Sequence, residues 1–395
     1  MTRKGLHQRC ISAIHWLEAS GALALGAMFM TAAIGTPAAQ AQTYSVLHSF
    51  EGPPTDGSVP VAGLIRDSAG NLYGTTASGG ASNAGVVFKV DTTGAETVLY
   101  SFTGGADGSG PSAGLIRNSA GTLYGTTSDG GTSGRGVVFK LDTTGTETVL
   151  YSFTGEADGG YPSAGLIQDS AGNLYGTTEY GGASNDGVVF KVDTSGTETV
   201  LHSFRGGDGA TPFAGLIRDS AGDLYGTTYV GGASGLGVVF KLNKTGETVL
   251  YSFTGGDGAY PGAGLFRDSA GILYGTTLYG ALDFGEVFML DTTGAETVLH
   301  SFTGGTDGAY PYAVLIQGSA GNLYGTTYLG GTSNNAGVVF KLDTTGTETV
   351  LYSFTGGTDG GEPLAGVIQD SAGNLYGTTS GGGIDNHGVV FKLQP

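Results

Sequence analysis

The pentapeptide Leu-Tyr-Gly-Thr-Thr occurs seven times, starting at Leu72, Leu123, Leu174, Leu224, Leu273, Leu323 and Leu375, each time behind Ser-Ala-Gly. The starts lie 49 to 52 residues apart. Self-similarity at this period means that each copy is one supersecondary unit, too small to bury its apolar face alone and dependent on its neighbours for a core.

One period, Pro111 to Phe153, shows the unit. Ala113-Gly114-Leu115-Ile116-Arg117 is a short apolar run, Ser119-Ala120-Gly121 breaks it, and Leu123–Thr127 follows. Three residues ending in glycine between two β-like runs suit a tight hairpin with the glycine left-handed. After a loop, Val137–Leu141 forms a third run, and Asp142-Thr143-Thr144-Gly145 turns the chain into a fourth, Glu147–Phe153. Both are rich in β-branched and aromatic residues, and no stretch has helical periodicity with caps. Four hairpin-linked strands per period, joined to the next four by a longer Asp-Gly loop, describe the blade of a β-propeller. The small Ala-Gly and Gly-Thr-Thr segments suit the first two strands, where sheets crowd, and Val-Val-Phe and Leu-Tyr-Ser-Phe fill the wider spacing outside.

The ends of the repeat region settle the architecture. It begins with a lone fourth strand, Tyr44–Phe50, and stops after a third strand, Val389–Leu393. Pairing 44–50 with 389–393 completes the seventh blade and closes a ring without a free edge, whereas a linear array would need capping repeats, which are not visible. The expected fold is all-β: a seven-bladed β-propeller of four-stranded antiparallel blades over residues 42–395.

Residues 1–41 read differently. Arg3, Lys4 and Arg9 precede an apolar run, Gly21–Ile34, which leads into Ala39-Gln40-Ala41. This is the pattern of a secretory signal peptide cleaved near Ala41, and it predicts a secreted or periplasmic protein with no membrane span after cleavage. Cleavage removes the single cysteine, Cys10, and the single tryptophan, Trp16, so disulfides cannot stabilise the mature protein. Basic residues fall from 16 to 13 and acidic ones from 34 to 33, giving a net charge of −20. Such a surface repels phosphate backbones, which argues against nucleic acid as a partner. A monomer is expected.

The repeated NLYGTT–GG–GVVFKLD–G–ETVLYSF pattern resembles the GloVer tandem repeat of secreted bacterial proteins, over essentially all of Tyr44–Leu393. The resemblance implies export and a repeat domain, often followed by a C-terminal sorting or anchoring segment, but no particular activity. This chain departs from that pattern by stopping at Gln394-Pro395, directly after the last strand. The strand layout also looks like that of NHL-type propellers, and is unlike WD40 or kelch units.

The candidate binding residues lie in loops. Asp56, Asp107, Asp158, Asp208, Asp257, Asp307 and Asp359 recur in the Asp-Gly loops, one per period. A ring of them could hold Ca²⁺ or a polyol. Yet Ca²⁺ needs six to eight converging oxygens, the spacing matches neither an EF-hand nor a glycine-rich Ca²⁺ nonapeptide, and local capping of each turn is the simpler role. No other cofactor and no metal site is indicated. Tyr161, Tyr260 and Tyr310 precede the loop prolines, while Tyr180, Tyr229, Tyr279 and Tyr328 follow the Thr-Thr. Tyrosines beside Asp and Asn suit stacking on sugar rings, and these positions vary between copies, as ligand-selecting positions do. His48, His202 and His300 stand where other copies have Tyr100, Tyr151, Tyr251 and Tyr352, which marks a structural ring position. Lys89, Lys140, Lys191, Lys241, Lys341 and Lys392 follow the third-strand Phe, and a glutamate opens the fourth strand, so a Lys–Glu surface ion pair across that hairpin is expected. No catalytic constellation can be assembled from spacing. The expected function is an exported, non-catalytic binding or scaffold propeller, with carbohydrate, another extracellular polymer or a protein on its loop face. The alternatives are a propeller enzyme of lyase, lactonase or glycosidase type with an axial site, or a purely structural surface or matrix protein.

Overall fold

The computed structural model describes residues 42–395; the expected signal peptide lies outside the described residues. Seven four-stranded antiparallel sheets follow one another, each running from a two-residue first strand to a fourth strand at the far edge. In the second blade these are Ile116–Arg117, Leu123–Thr127, Val137–Leu141 and Glu147–Ser152. The described residues contain no helix, so none is long and apolar enough to cross a membrane.

The ring closes as the terminal strands predict. Thr43–Ser49 pairs antiparallel with Val389–Gln394, with Tyr44 opposite Leu393 and Val46 opposite Phe391, and supplies the fourth strand of the seventh blade. The core lies between blades. Each of its seven clusters mixes residues of adjacent sheets, as where Val87 and Phe102 of the first blade pack with Leu115, Leu123 and Phe139 of the second. At every interface a phenylalanine ending one fourth strand meets, edge to face, the third-strand phenylalanine of the next blade. Phe102–Phe139 and Phe153–Phe190 are 5.2 and 5.0 Å apart, and Phe50–Phe88 and Phe354–Phe391 close the ring at 5.1 and 5.4 Å. Such pairs contribute roughly 0.5–1.5 kcal/mol each beyond area burial.

The invariant pentapeptide holds this assembly together. Its first threonine donates a hydrogen bond to the next blade: Thr75 to the Ala113 carbonyl at 3.0 Å, Thr126 to Ala164 at 3.1 Å, and so on round to Thr378, which reaches Ala62 at 3.1 Å. In six copies the second threonine bonds within its own loop, as Thr127 donating to the Asp129 carbonyl at 2.8 Å; the exception is Thr277, whose buried hydroxyl has no partner. The glycine is crowded from within its own blade rather than by the neighbouring sheet. Gly125 lies opposite Phe139, and a β-carbon there would sit 2.7 Å from that ring and 3.0 Å from Leu115. The first strand is also shorter than its apolar run. The Ala-Gly-Leu half leaves the ladder to line the axis, where the Ala carbonyl takes the threonine hydroxyl instead of a strand partner.

Candidate functional site on the loop face

The inter-blade loops and the loops between second and third strands are tied into one face by a short bridge in every blade, such as Gly160 with Tyr180 and Ala259 with Tyr279. The residue before each loop proline is held the same way throughout. Its N–H donates to a carbonyl of the preceding blade, as Tyr260 to Leu236 at 2.8 Å, and its carbonyl accepts from the residue after Thr-Thr, as from Leu278 at 3.3 Å. This bracket forces a left-handed backbone at Val59, Gly110, Tyr161, Thr211, Tyr260, Tyr310 and Glu362, with φ between +53° and +63°. Only one of the seven is glycine, although a side chain there costs roughly 1–2 kcal/mol.

The side chains carried by this frame are distributed unevenly. Over the third to sixth blades they form an aromatic arc. Tyr229 and Tyr260 have ring centroids 5.2 Å apart, Tyr260 and Tyr279 5.8 Å, and Tyr279 and Tyr310 5.5 Å. Tyr161–Tyr180 at 5.8 Å and Tyr312–Tyr328 at 5.9 Å are further pairs on these blades. Tyr180 and Tyr279 are exposed, and the other tyrosines are half-buried. Burial, then the neighbouring phenols Tyr229, Tyr279, Tyr328 and Tyr310, raise the Tyr312 hydroxyl above its ordinary range. The arc borders a cavity of about 350 Å³ lined by Glu179, Tyr180, Thr211, Phe213, Tyr229 and Tyr312. Arg135 lies over Tyr161 with its guanidinium carbon 5.0 Å from the ring centroid, and donates a hydrogen bond to that hydroxyl.

All seven candidate tyrosines therefore lie on this face, six of them in contact with another candidate and the seventh, Tyr328, with Tyr312. Phe213 and Tyr312 were not singled out from the sequence. They follow the loop prolines, where Val61, Ser112, Ser163, Gly262 and Leu364 stand in other blades, and most of this set rims the mouth of the axial channel. That copy-to-copy variation was the available signal. The channel wall is built from the Ala-Gly-Leu-Ile segments, and among the described residues no imidazole or carboxylate lines it.

The seven candidate aspartates do not join the arc. Each is engaged by its own turn, and six are also bonded by the ring near the end of the preceding strand; the exception is Asp307, with His300 at 3.8 Å. Asp107 accepts from the Thr103 N–H at 2.7 Å, the Thr103 hydroxyl and the Tyr100 hydroxyl at 3.1 Å. Burial pushes the Asp107 carboxyl up, but these bonds outweigh it and hold it below its ordinary value. His48 and His202 do the work of the tyrosines, each placing Nε2 3.1 Å from the carboxylate of Asp56 or Asp208. His387 places its Nδ1 2.8 Å from the Ser58 hydroxyl.

The expected Lys–Glu pair is not formed. Lys89 is opposite Thr97, whereas Glu96 is opposite the fully buried Val90. Neighbouring strand residues point to opposite sides, so the lysine and the glutamate diverge. The lysine that does pair, Lys241, reaches Asp223 in the first hairpin at 2.7 Å. The glutamates instead enter the groove between blades, beside the aspartate of the preceding loop. Burial, then the charge of that aspartate, raises Glu96, Glu147, Glu198, Glu247, Glu296 and Glu348 to about 7. The seventh groove has Tyr44 in that place, stacked on Tyr352 at 4.0 Å.

No curated protein matches this chain. Among solved structures, it is similar to the extracellular domain of a protein described as a one component system in B. thetaiotaomicron, with 11% identity and a TM-score of 0.58 over 87% of this chain and 40% of that one. It is also similar to PorZ, a bacterial surface component of the type-IX secretion system of Porphyromonas gingivalis, with 18% identity and a TM-score of 0.51 over 84% of this chain and 46% of that one. The chain thus spans less than half the length of either, and at these identities the likeness is one of fold. The Gloeobacter/Verrucomicrobia repeat matches over residues 21–240 and again over 215–395, and the chain belongs to that repeat family.

Proposed function

We propose that the protein is an exported, non-catalytic binding propeller that holds a carbohydrate or similar extracellular polymer on the aromatic arc of its third to sixth blades. The observation that carries this reading is the left-handed position before each loop proline. Glycine would fit there without strain, yet six of the seven copies present a side chain, and the side chains differ. A cost repeated in the folded state, at side chains that change from copy to copy while the backbone bracket does not, points to what those side chains do at the surface. Clustered tyrosines offer flat faces for sugar rings and hydroxyls for their oxygens, next to a concave site with the carboxylate of Glu179 at its edge. Extracellular and surface placement of the similar structures, together with the basic-apolar-small pattern of residues 1–41, supports export.

A polysaccharide panel probed with the purified protein tests the reading. Binding to at least one neutral or basic glycan is expected, with loss of more than tenfold in affinity in the Tyr260→Ala/Tyr279→Ala variant. Silence across the panel, or undiminished binding by that variant, contradicts it.

A further inference from the structure

Six of the seven grooves between blades repeat one arrangement: a ring from one fourth strand, the Asp-Gly aspartate and the glutamate of the next blade, which Tyr44 replaces in the seventh. Four of the seven rings are tyrosines, and in these grooves the phenol donates to the aspartate, as Tyr151 to Asp158 at 2.9 Å. Two of the histidine grooves differ in a second way. The residue after the strand's phenylalanine is Glu51 or Arg205 rather than threonine, so the aspartate loses the hydroxyl donor that Thr103 or Thr303 supplies elsewhere. Replacing phenol by imidazole and removing a hydroxyl donor both make the groove a better ligand set.

We infer that His48, Asp56 and Glu96, and likewise His202, Asp208 and Glu247, each bind a divalent transition-metal ion such as Zn²⁺. In each trio one donor atom per residue lies within 4.8 Å of the others. The imidazole nitrogen and the aspartate oxygen are 3.1 Å apart in both, close to the separation of two donors on one tetrahedral ion with arms of about 2.0–2.2 Å. The third donor is available: Oε1 of Glu96 and of Glu247 is buried without a hydrogen-bond partner, as it is in Glu147, Glu198, Glu296 and Glu348, so the imidazole and the freed aspartate are what set these two grooves apart. Two carboxylates match the charge of the ion, and one imidazole among them favours a borderline ion over Ca²⁺, which takes oxygens in greater number. The main-chain N–H of Glu51, 2.9 Å from Asp56 Oδ2, would orient that ligand from behind. The third histidine groove keeps an unpartnered glutamate oxygen, on Glu348, but has neither the close imidazole–carboxylate pair nor the freed aspartate. His300 stands 3.8 Å from Asp307, both of whose oxygens accept from Thr303.

The first site has a structural consequence. His48 lies on the N-terminal strand that closes the ring, and Glu96 belongs to the first blade, so an ion there clamps the closure. The test is equilibrium dialysis of the full chain against Zn²⁺, followed by metal analysis and thermal melting. His48→Tyr and His202→Tyr install the residue that four other blades already use, so folding is preserved. Each is expected to remove about one bound ion per chain, and the double variant about two, while His300→Tyr changes nothing. Zn²⁺ should raise the melting temperature of the wild type and less so that of His48→Tyr. Equal metal content in the wild type and the double variant overturns the assignment, as does loss of an ion in His300→Tyr.

Discussion

The loop face can be compared with itself. On the third to sixth blades the brackets carry Tyr161, Thr211, Tyr260 and Tyr310, with Phe213 and Tyr312 beyond the prolines. On the seventh, first and second blades the same brackets carry Glu362, Val59 and Gly110, followed by Leu364, Val61 and Ser112. The backbone hydrogen bonds are the same in both halves, and so are the left-handed torsions. Only the side chains differ. The repeat has therefore separated a frame, in which every copy is alike, from a surface, in which copies diverge, and the divergence collects aromatic rings on one side of the channel mouth.

The separation breaks most visibly if the frame is damaged. Phe139→Ala removes one of the ring-to-ring contacts between blades and should cost about 3–5 kcal/mol in urea unfolding, whereas Tyr260→Ala should cost well under half of that. A smaller loss of about 1–3 kcal/mol is expected for Thr126→Val, which leaves the buried Ala164 carbonyl without its donor; a neutral result would show that the invariant threonine does not link blades. Smaller still is Thr211→Gly. Relief of a left-handed β-branched residue, roughly 1–2 kcal/mol, is partly offset by the freedom glycine gains on unfolding, roughly 0.5–1 kcal/mol. Stability should stay within about 1 kcal/mol of wild type, on the stabilising side, and a large loss would mean that the side chain belongs to the frame.

The smallest effect is that of pH. Glu147, Glu198 and Glu296 sit beside tyrosines and aspartates at about 7 in the folded protein, against 4.5 in the open chain. A raised carboxyl holds its proton more tightly when folded, so its contribution is complete below 4.5 and is lost as pH rises through 7. Asp107 and Asp257, held low by hydrogen bonds that outweigh burial, act in the opposite sense only below their ordinary range. With EDTA present, the melting temperature should fall modestly from pH 5.5 to pH 8.5, and the slope should flatten in Glu147→Gln/Glu198→Gln/Glu296→Gln. A slope of the same size in that variant places the titration elsewhere.

The architecture was legible because it is written in positions that repeat. The period gave the blade count, and the lone strand at 44–50 told how the ring closes. What the repeat could not reveal were directions. A residue before proline reads as extended, yet Tyr161 and its counterparts are left-handed, because two main-chain hydrogen bonds from neighbouring blades override the local preference. Glu96 looked like a partner for Lys89, but one residue of register sends it to the opposite side of the sheet, into a groove made by another blade. The tyrosine arc was legible as a set of residues and not as a shape. Its members are scattered over 168 residues, from Tyr161 to Tyr328, and only ring closure brings them to one side of a common mouth.

The measurement that addresses the division most directly is a calorimetric titration of one glycan from the panel into three proteins of matched thermal stability. These are the wild type, Tyr260→Ala/Tyr279→Ala on the arc, and Val59→Ala/Val61→Ala on the opposite half of the same face. Loss of affinity confined to the arc variant, with the other two indistinguishable, is the expected result. Equal loss in both variants, or in neither, would contradict the claim that one half of an invariant frame carries the binding surface.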